Sequence, residues 1–497
     1  MRELTSENNQ IEYKEAKNSF PKEAWKTISA FANTKGGYLI LGVSEKDGTP
    51  IVSGVRDEDK ILKEFWDTIN SDSKINLNGF DENNIEINEV DEKKVIKIKI
   101  DEVNYKDKPV YLNGQINSTY IRQGEGDYRA NEEDIASFFR NNIDFLDNEL
   151  IEDYTTEDLD KTSVESFINK VKNRDINNRY EDMSELEILK DCGVIRKNRR
   201  NKEENLTFGG LLFLGKYDSI KEYIPHFHLE YINKTNTSFV DNVRYKDRVA
   251  TGDINFPNLN LFNFYFEVYN KIVKQDNFSF NLDENSMIRD NNLTKIKIIL
   301  RETLANTIIH ADYKDKKEVK IEVYNHYFDF FNPGEMRVST REFFEESLSL
   351  PRNTIIETLF RKLGVCERMG SGGITILKNV IDQNLKKPEI KSENNETFMR
   401  IWKVDLADSD STLKENEKIL LKRITKSKIL TTKEAMEILN LKRDATLKVF
   451  NSLIDKGYIE KKGNGRSIKY LLKENYEDEL ATMEHIFREI RKLRYKR

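Results

Sequence analysis

Ala30-Phe31-Ala32-Asn33-Thr34-Lys35-Gly36-Gly37-Tyr38-Leu39-Ile40-Leu41-Gly42-Val43 is the stretch on which the fold of the first domain turns. Just upstream, Ala24, Trp25, Ile28, Phe31 and Ala32 recur at helical spacing, behind a start signal at Ser19 and Pro21. Asn33 to Gly37 breaks that helix, and Tyr38 to Val43 is predicted to be a buried strand. Further on, Ile61, Leu62, Phe65, Trp66 and Ile69 mark a second amphipathic helix, and Val95, Ile96, Ile98 and Ile100 another strand. Thr119 to Gly124 then precedes a helix over Glu132 to Arg140. Residues 1–145 therefore read as one α+β domain.

The whole chain is multidomain α+β. Its 497 residues are too many for one ordinary core, and roughly three or four domains are expected. With 37% hydrophobic residues it has the material for packed cores, and with 8 prolines and 22 glycines it has few low-complexity linkers. Cys192 and Cys366 form no CxxC pair, so a disulfide framework and a cysteine zinc site are not expected. His226 and His228 alternate along a strand, and no HExxH helix exists. The polar start and the short apolar runs point to a cytoplasmic protein without a membrane span.

After an acidic, polar linker over 146–160, a middle α/β region is expected over 155–290 and another α/β unit over 291–405. Gly210-Leu-Leu-Phe-Leu-Gly215-Lys216 spells a Walker A loop only superficially. Tyr217 stands where Ser or Thr holds Mg²⁺, and the four residues between the glycines are apolar, so the run reads as a core strand. Charge is unevenly spread. From Lys414 to Lys473 there are 16 Lys and Arg against 7 Asp and Glu, a local +9, which leaves −15 for the rest of a chain whose total is −6. Phosphate binding is thereby focused on the C-terminal module.

The string in residues 30–45, with Glu7, Glu12 and Lys14 upstream, resembles the Schlafen AlbA-type domain family. Tyr120-Ile121-Arg122-x-Gly124 and Ala130 fit as well. The resemblance implies a Schlafen AlbA-like α/β fold that acts on nucleic acid. In the nucleolytic branch three acidic residues cleave RNA, and the matching positions here are Glu7, Glu12 and Glu45, the last a Glu where animal members usually carry Asp. Such carboxylates hold Mg²⁺ or Mn²⁺, which orients water and neutralises charge on the scissile phosphate, and Lys14 adds an electrostatic contact. The plain alternative is that these are solvated charges in a chain that is one-third charged.

Glu302, Asn306 and His310 stand at i, i+4 and i+8 on one helix face. The segment resembles the N-box of GHKL-type ATPases, in which the Glu activates water and the Asn ligates the Mg²⁺ of ATP. The resemblance implies a GHKL-like α/β sandwich over 291–405. Asn332-Pro333-Gly334 falls at the adenine-binding turn, without the usual Asp. Glu367-Arg368-Met369-Gly370-Ser371-Gly372-Gly373 falls at the phosphate lid, where glycine amides at a helix start can meet an anion.

Residues 412–475 resemble a winged helix-turn-helix. Leu413 to Ile424 is one helix, Thr431 with Glu434 caps a second, and Asp444 to Lys456 makes a third. Gly457 to Tyr470 reads as a two-stranded wing with a Gly463-Asn464-Gly465 turn. Lys442, Arg443, Lys448, Arg466 and Lys469 are its candidate phosphate and base contacts, although such modules also serve in dimerisation. The amphipathic tail 476–497 reads as a packing or oligomer helix. Two readings follow: a metal-dependent endoribonuclease acting on tRNA or other RNA, controlled by the other parts and suited to phage defence; or an ATP- or ligand-responsive DNA-binding regulator. A homo-oligomer is compatible with either.

Overall fold

The computed structural model describes residues 7–46, 49–90, 92–143, 146–235, 244–275, 290–366, 370–383, 385–393, 395–403, 407, 412–427, 429–463 and 468–472. Two compact units divide between Ile143 and Asp144.

The first unit runs β1 (Ile11–Lys14), α1 (Ala24–Asn33), β2 (Gly37–Leu41), β3 (Val43–Lys46), β4 (Thr49–Val52), α2 (Glu58–Ile69), β5 (Ile85–Val90), β6 (Lys93–Ile100), β7 (Tyr120–Gln123), β8 (Gly126–Arg129) and α3 (Glu132–Asn142). Its sheet has the order β1-β2-β6-β5, with β1 parallel to β2 and the other pairs antiparallel. Ile28, Phe31, Leu39, Leu41, Phe65, Ile96 and Ile98 make the core between sheet and helices. Ile11, Tyr13, Tyr38 and Ile40 are buried on the opposite face. The glycines explain the break after α1: a Cβ on Gly36 (φ +68°) would stand 2.7 Å from the Ile100 carbonyl oxygen. The expected strand from Tyr38 to Val43 is shorter, because Gly42 (φ +89°) ends β2 and starts the separate β3–β4 ribbon.

The second unit begins with α4 (Lys161–Arg174), α5 (Glu185–Asp191), β9 (Ile195–Lys197), β10 (Glu204–Leu206), α6 (Phe208–Leu214), α7 (Tyr217–Tyr223), β11 (Leu229–Asn233), β12 (Asp247–Ala250), α8 (Leu261–Gln275) and α9 (Asp290–Ile309). It continues through β13 (Val319–Val323), β14 (Tyr327–Pro333), α10 (Thr340–Glu345), α11 (Thr354–Leu363), α12 (Ser371–Asp382), β15 (Glu389–Glu393) and β16 (Glu396–Trp402). One six-stranded sheet, β12-β11-β13-β14-β16-β15, takes strands from both sides of residue 290. A single core then runs from Ile151 to Ile401, so the middle region and the GHKL-like region share one fold.

Two expectations are corrected here. Residues 146–160 are no linker, because Leu146, Asp147, Ile151 and Leu159 are buried. The Leu211–Leu214 run is not a strand but lies in helix α6. The Thr207 side chain caps that helix by accepting from the Gly210 N–H at 3.0 Å, and every residue of it is buried.

The C-terminal module of this unit has its own core, which includes Leu420, Ile424, Ala435, Phe450, Leu453 and Tyr470. Its order is α13 (Glu415–Ser427), β17 (Ile429–Thr431), α14 (Thr432–Leu439), α15 (Arg443–Asp455), β18 (Ile459–Lys462) and β19 (Lys469–Leu472), with the sheet β17-β19-β18. The Thr431 and Glu434 capping box forms as the sequence indicates. Arg466 in the wing turn, Glu367 to Met369 in the lid, and the tail 476–497 lie outside the described residues.

Candidate functional site

The segment leading into β1 and the ribbon β3–β4 bring Glu7 and Glu45 of the acidic trio together. The Glu7 N–H donates to Glu45 Oε2 at 2.6 Å, and the Tyr13 N–H donates to Glu7 Oε1 at 2.8 Å. Burial pushes the Glu7 carboxyl up, against the Tyr13 N–H, and repulsion from Glu12 and Glu45 adds to the rise while Lys14 opposes it. Glu12 points elsewhere. It pairs in register with Leu39 and so shares the inward face of the sheet, where it is buried. One of its oxygens is paired with Lys14, and the other accepts from Arg122 Nη2 at 2.9 Å.

Arg122 is the residue that the sequence reading took only as part of a family pattern. Its guanidinium is buried and donates to Asp127 Oδ1 and to the Asn8 carbonyl, both at 2.8 Å. Thr27 fixes Asp127 in turn at 2.6 Å. A metal at Glu12 would have to displace two cations, one of them buried. Among the described residues no three acidic, His or Cys side chains are set to hold a metal ion. The trio as it stands does not fit Mg²⁺ or Mn²⁺, and Lys14 is spent on Glu12 rather than offered to a phosphate.

In the second unit α9 lies against α12, and a pocket forms between them. Glu302, Asn306 and His310 line it from the α9 side, Gly370, Gly372 and Gly373 from the start of α12, and Glu357 and Cys366 are among its other lining residues. The N-box helix and the glycine turn are thus brought together. Glu302 is held by Arg301 Nη2 at 2.8 Å. The Asn306 amide nitrogen is buried and makes no hydrogen bond, and a Cβ on Gly372 would stand 2.8 Å from it. At Gly373 a Cβ would stand 2.0 Å from the Phe343 carbonyl oxygen, so glycine is required for the α12 start to pack here.

Burial drives His310 down to about 3, with Arg352 and Arg337 adding to the effect, so its imidazole is neutral. Burial also pushes Glu357 up and the Cys366 thiol up to about 12, the latter helped by Glu302 and Glu357. Gly334 does not line this pocket. It faces Arg352, which sequence reasoning missed. Glu302, already paired with Arg301, and Asn306 are the pocket residues that could hold the metal and phosphate end of a nucleotide, whereas the turn at Gly334 is packed against Arg352.

In the C-terminal module Thr446, Phe450 and Leu453 turn one face of α15 into the core. Lys442 at the N-cap of this helix and Arg443 and Lys448 on it are left exposed, and Lys469 is exposed on β19. None of these four cations is held in an ion pair among the described residues, whereas neighbouring Lys456 is bound to Glu417 at 2.9 Å.

Residues 7–131 match the family described as Schlafen, AlbA_2. Residues 316–401 match the family described as "Putative ATP-dependent DNA helicase recG C-terminal", a stretch that holds Gly334 and the α12 glycines but begins after Glu302 and Asn306. Residues 136–230 match a domain of unknown function, DUF8451. No curated protein matches the chain. Among solved structures, the DIP2311 protein from Corynebacterium diphtheriae is 13% identical, with a TM-score of 0.40, over 93% of this chain and 95% of that one. The N-terminal domain of a "Putative ATP-dependent DNA Helicase RecG-related Protein" from Nitrosomonas europaea is 28% identical, with a TM-score of 0.19, over 24% of this chain and 82% of that one.

Proposed function

We propose, for a chain that carries a Schlafen AlbA_2 domain at its N-terminus and a recG C-terminal-type domain further on, that it is a nucleic-acid-binding regulator gripping DNA through its C-terminal module. The observation that carries this reading is the set of cations at the start of α15, along it and on β19 that form no ion pair among the described residues, within a stretch of +9. In the body of the protein many basic side chains are spent on carboxylates, as in the Arg400–Asp329 and Arg248–Glu230 pairs. Among the described residues these four are not, and the order α13-β17-α14-α15-β18-β19 around them supports reading the module as a winged helix-turn-helix, in which α15 would take the position that enters the major groove. The pocket between α9 and α12 is then the place where a ligand is sensed.

The test is DNA binding by the full chain across a salt series. Each duplex phosphate neutralised contributes about 0.9 to the slope of log K against log salt. Lys442→Glu with Arg443→Glu is expected to weaken binding at least tenfold and to reduce that slope by about 2. An unchanged slope would remove the module from the interface.

A second reading, a metal-dependent endoribonuclease, is supported only by Glu45 reaching the Glu7 backbone N–H and by the charges of Glu12 and Glu45 near the Glu7 carboxyl. It requires Lys14 and Arg122 to release Glu12 when substrate and metal arrive. Its test is a digest of cellular RNA with Mn²⁺ or Mg²⁺, in which intact RNA at every time point ends it.

A further inference from the structure

A GHKL-like domain implies adenine at the turn that ends β14, and this chain's turn is already filled by one of its own side chains. Gly334 has φ +91°, and the space on which its Cα opens holds the Arg352 guanidinium: a Cβ there would lie 2.6 Å from Nη1, 2.7 Å from Cζ and 2.9 Å from Nη2. Arg352 is 2% exposed, the largest fully buried side chain of the described residues. Its Nη2 donates to the Glu335 carbonyl at 2.9 Å, and its Nη1 donates to the carbonyl of His310, a residue that lines the pocket.

The rest of the turn is equally occupied. The Gly334 carbonyl accepts from Thr397 at 2.8 Å, the Gly334 N–H donates to the Asn395 carbonyl at 3.0 Å, and Asn332 is buried with its amide on the Pro333 carbonyl at 3.2 Å.

We infer that Arg352, which stands beside this pocket and reaches it through the His310 carbonyl, is its specificity-determining residue, its guanidinium standing in for the amino group of a base and excluding adenine from the turn. The substitution is chemically direct. An adenine amino group offers N–H donors to acceptors, and here the fork of Arg352 supplies N–H donors to two backbone carbonyls from inside the fold. Releasing it would take a donor from each of these carbonyls and strip a buried cation of those two hydrogen bonds, so a base cannot displace it cheaply. The inference is independent of DNA binding by α15, which is measured separately.

Calorimetric titration of the full chain with Mg²⁺ and ATP, GTP or inorganic tripolyphosphate tests this. The three ligands are expected to bind within about threefold of one another, a difference under 1 kcal/mol, and no binding by any of them would overturn the inference. ATP binding more than tenfold tighter than both others would overturn the inference. Arg352→Ala, in a chain whose near-ultraviolet circular dichroism matches the wild type, is expected to gain at least fivefold for ATP over tripolyphosphate. A folded variant without that gain would also overturn the assignment. Where the variant does not fold, the wild-type comparison decides.

Discussion

Glu12 and its two cations set the terms for any activity of the first domain. If Glu12 works on a metal, removing it abolishes catalysis and leaves the fold alone. If it is the counter-ion of Arg122, its loss leaves a buried guanidinium with Asp127 as its remaining carboxylate. Breaking a buried pair by deleting one partner costs about 3–5 kcal/mol, and the surviving Asp127 places the expected loss at the low end, about 3 kcal/mol. Glu12→Ala should therefore lower the denaturant midpoint of the first unit, while Glu45→Ala, on its half-exposed ribbon, should leave it nearly unchanged. Equal midpoints for the two variants would return Glu12 to the catalytic reading. Arg122 and Arg352 were not legible as site residues for the same physical reason. Arg122 finds Glu12 across 110 residues and Arg352 finds the His310 carbonyl across 42, and no local spacing announces such partners. Glu302 and Asn306 could be read because a helix face is a local pattern.

At the scale of elements, α11 joins the pocket to the start of the second unit. Asp147 is fully buried and accepts from the Ile356 N–H at 2.9 Å, in the first turn of α11, while Glu357 on the same helix lines the pocket. Burial pushes the Asp147 carboxyl up to about 7, against the N–H groups of Ile356, Ile355 and Thr354. Unfolded, it titrates near 3.8. Between these values the native state binds a proton that the unfolded state does not, so stability falls as pH rises from about 4 to 7 and is level above that. The slope reaches about 1.4 kcal/mol per pH unit inside the window. Urea midpoints measured from pH 5 to pH 8 are expected to show this decline in the wild type and to lose it in Asp147→Asn. A parallel decline in both would mean that another group is responsible.

The elements themselves were unevenly legible. Helix α1 announces itself by period and the second helix of the C-terminal module by its cap, but Phe208 to Leu214 carries apolar residues without a period, and burial on all sides is open to helix and strand alike. The linker expected over 146–160 failed because its few apolar residues are the buried ones, and composition averages them away.

For the whole molecule the separate cores make a prediction about cooperativity. Phe65 is completely buried in the first unit, with Trp25 stacked on it at 5.6 Å and Phe20 and Phe80 at 5.4 and 5.2 Å. None of the residues around it belongs to the core from Ile151 to Ile401 or to the one that supports α15. Phe65→Ala should cost about 3–5 kcal/mol, enough to take a marginal domain close to unfolding. In a chain with several cores that loss should move one calorimetric transition and leave the others in place. DNA affinity measured below that transition should stay within about twofold, because the unpaired cations stand on a core that Phe65 does not touch. If DNA binding fell in step with the first transition, the nucleic-acid grip would belong to the Schlafen AlbA_2 domain, and the basic module would have to be reassigned as a site of protein contact.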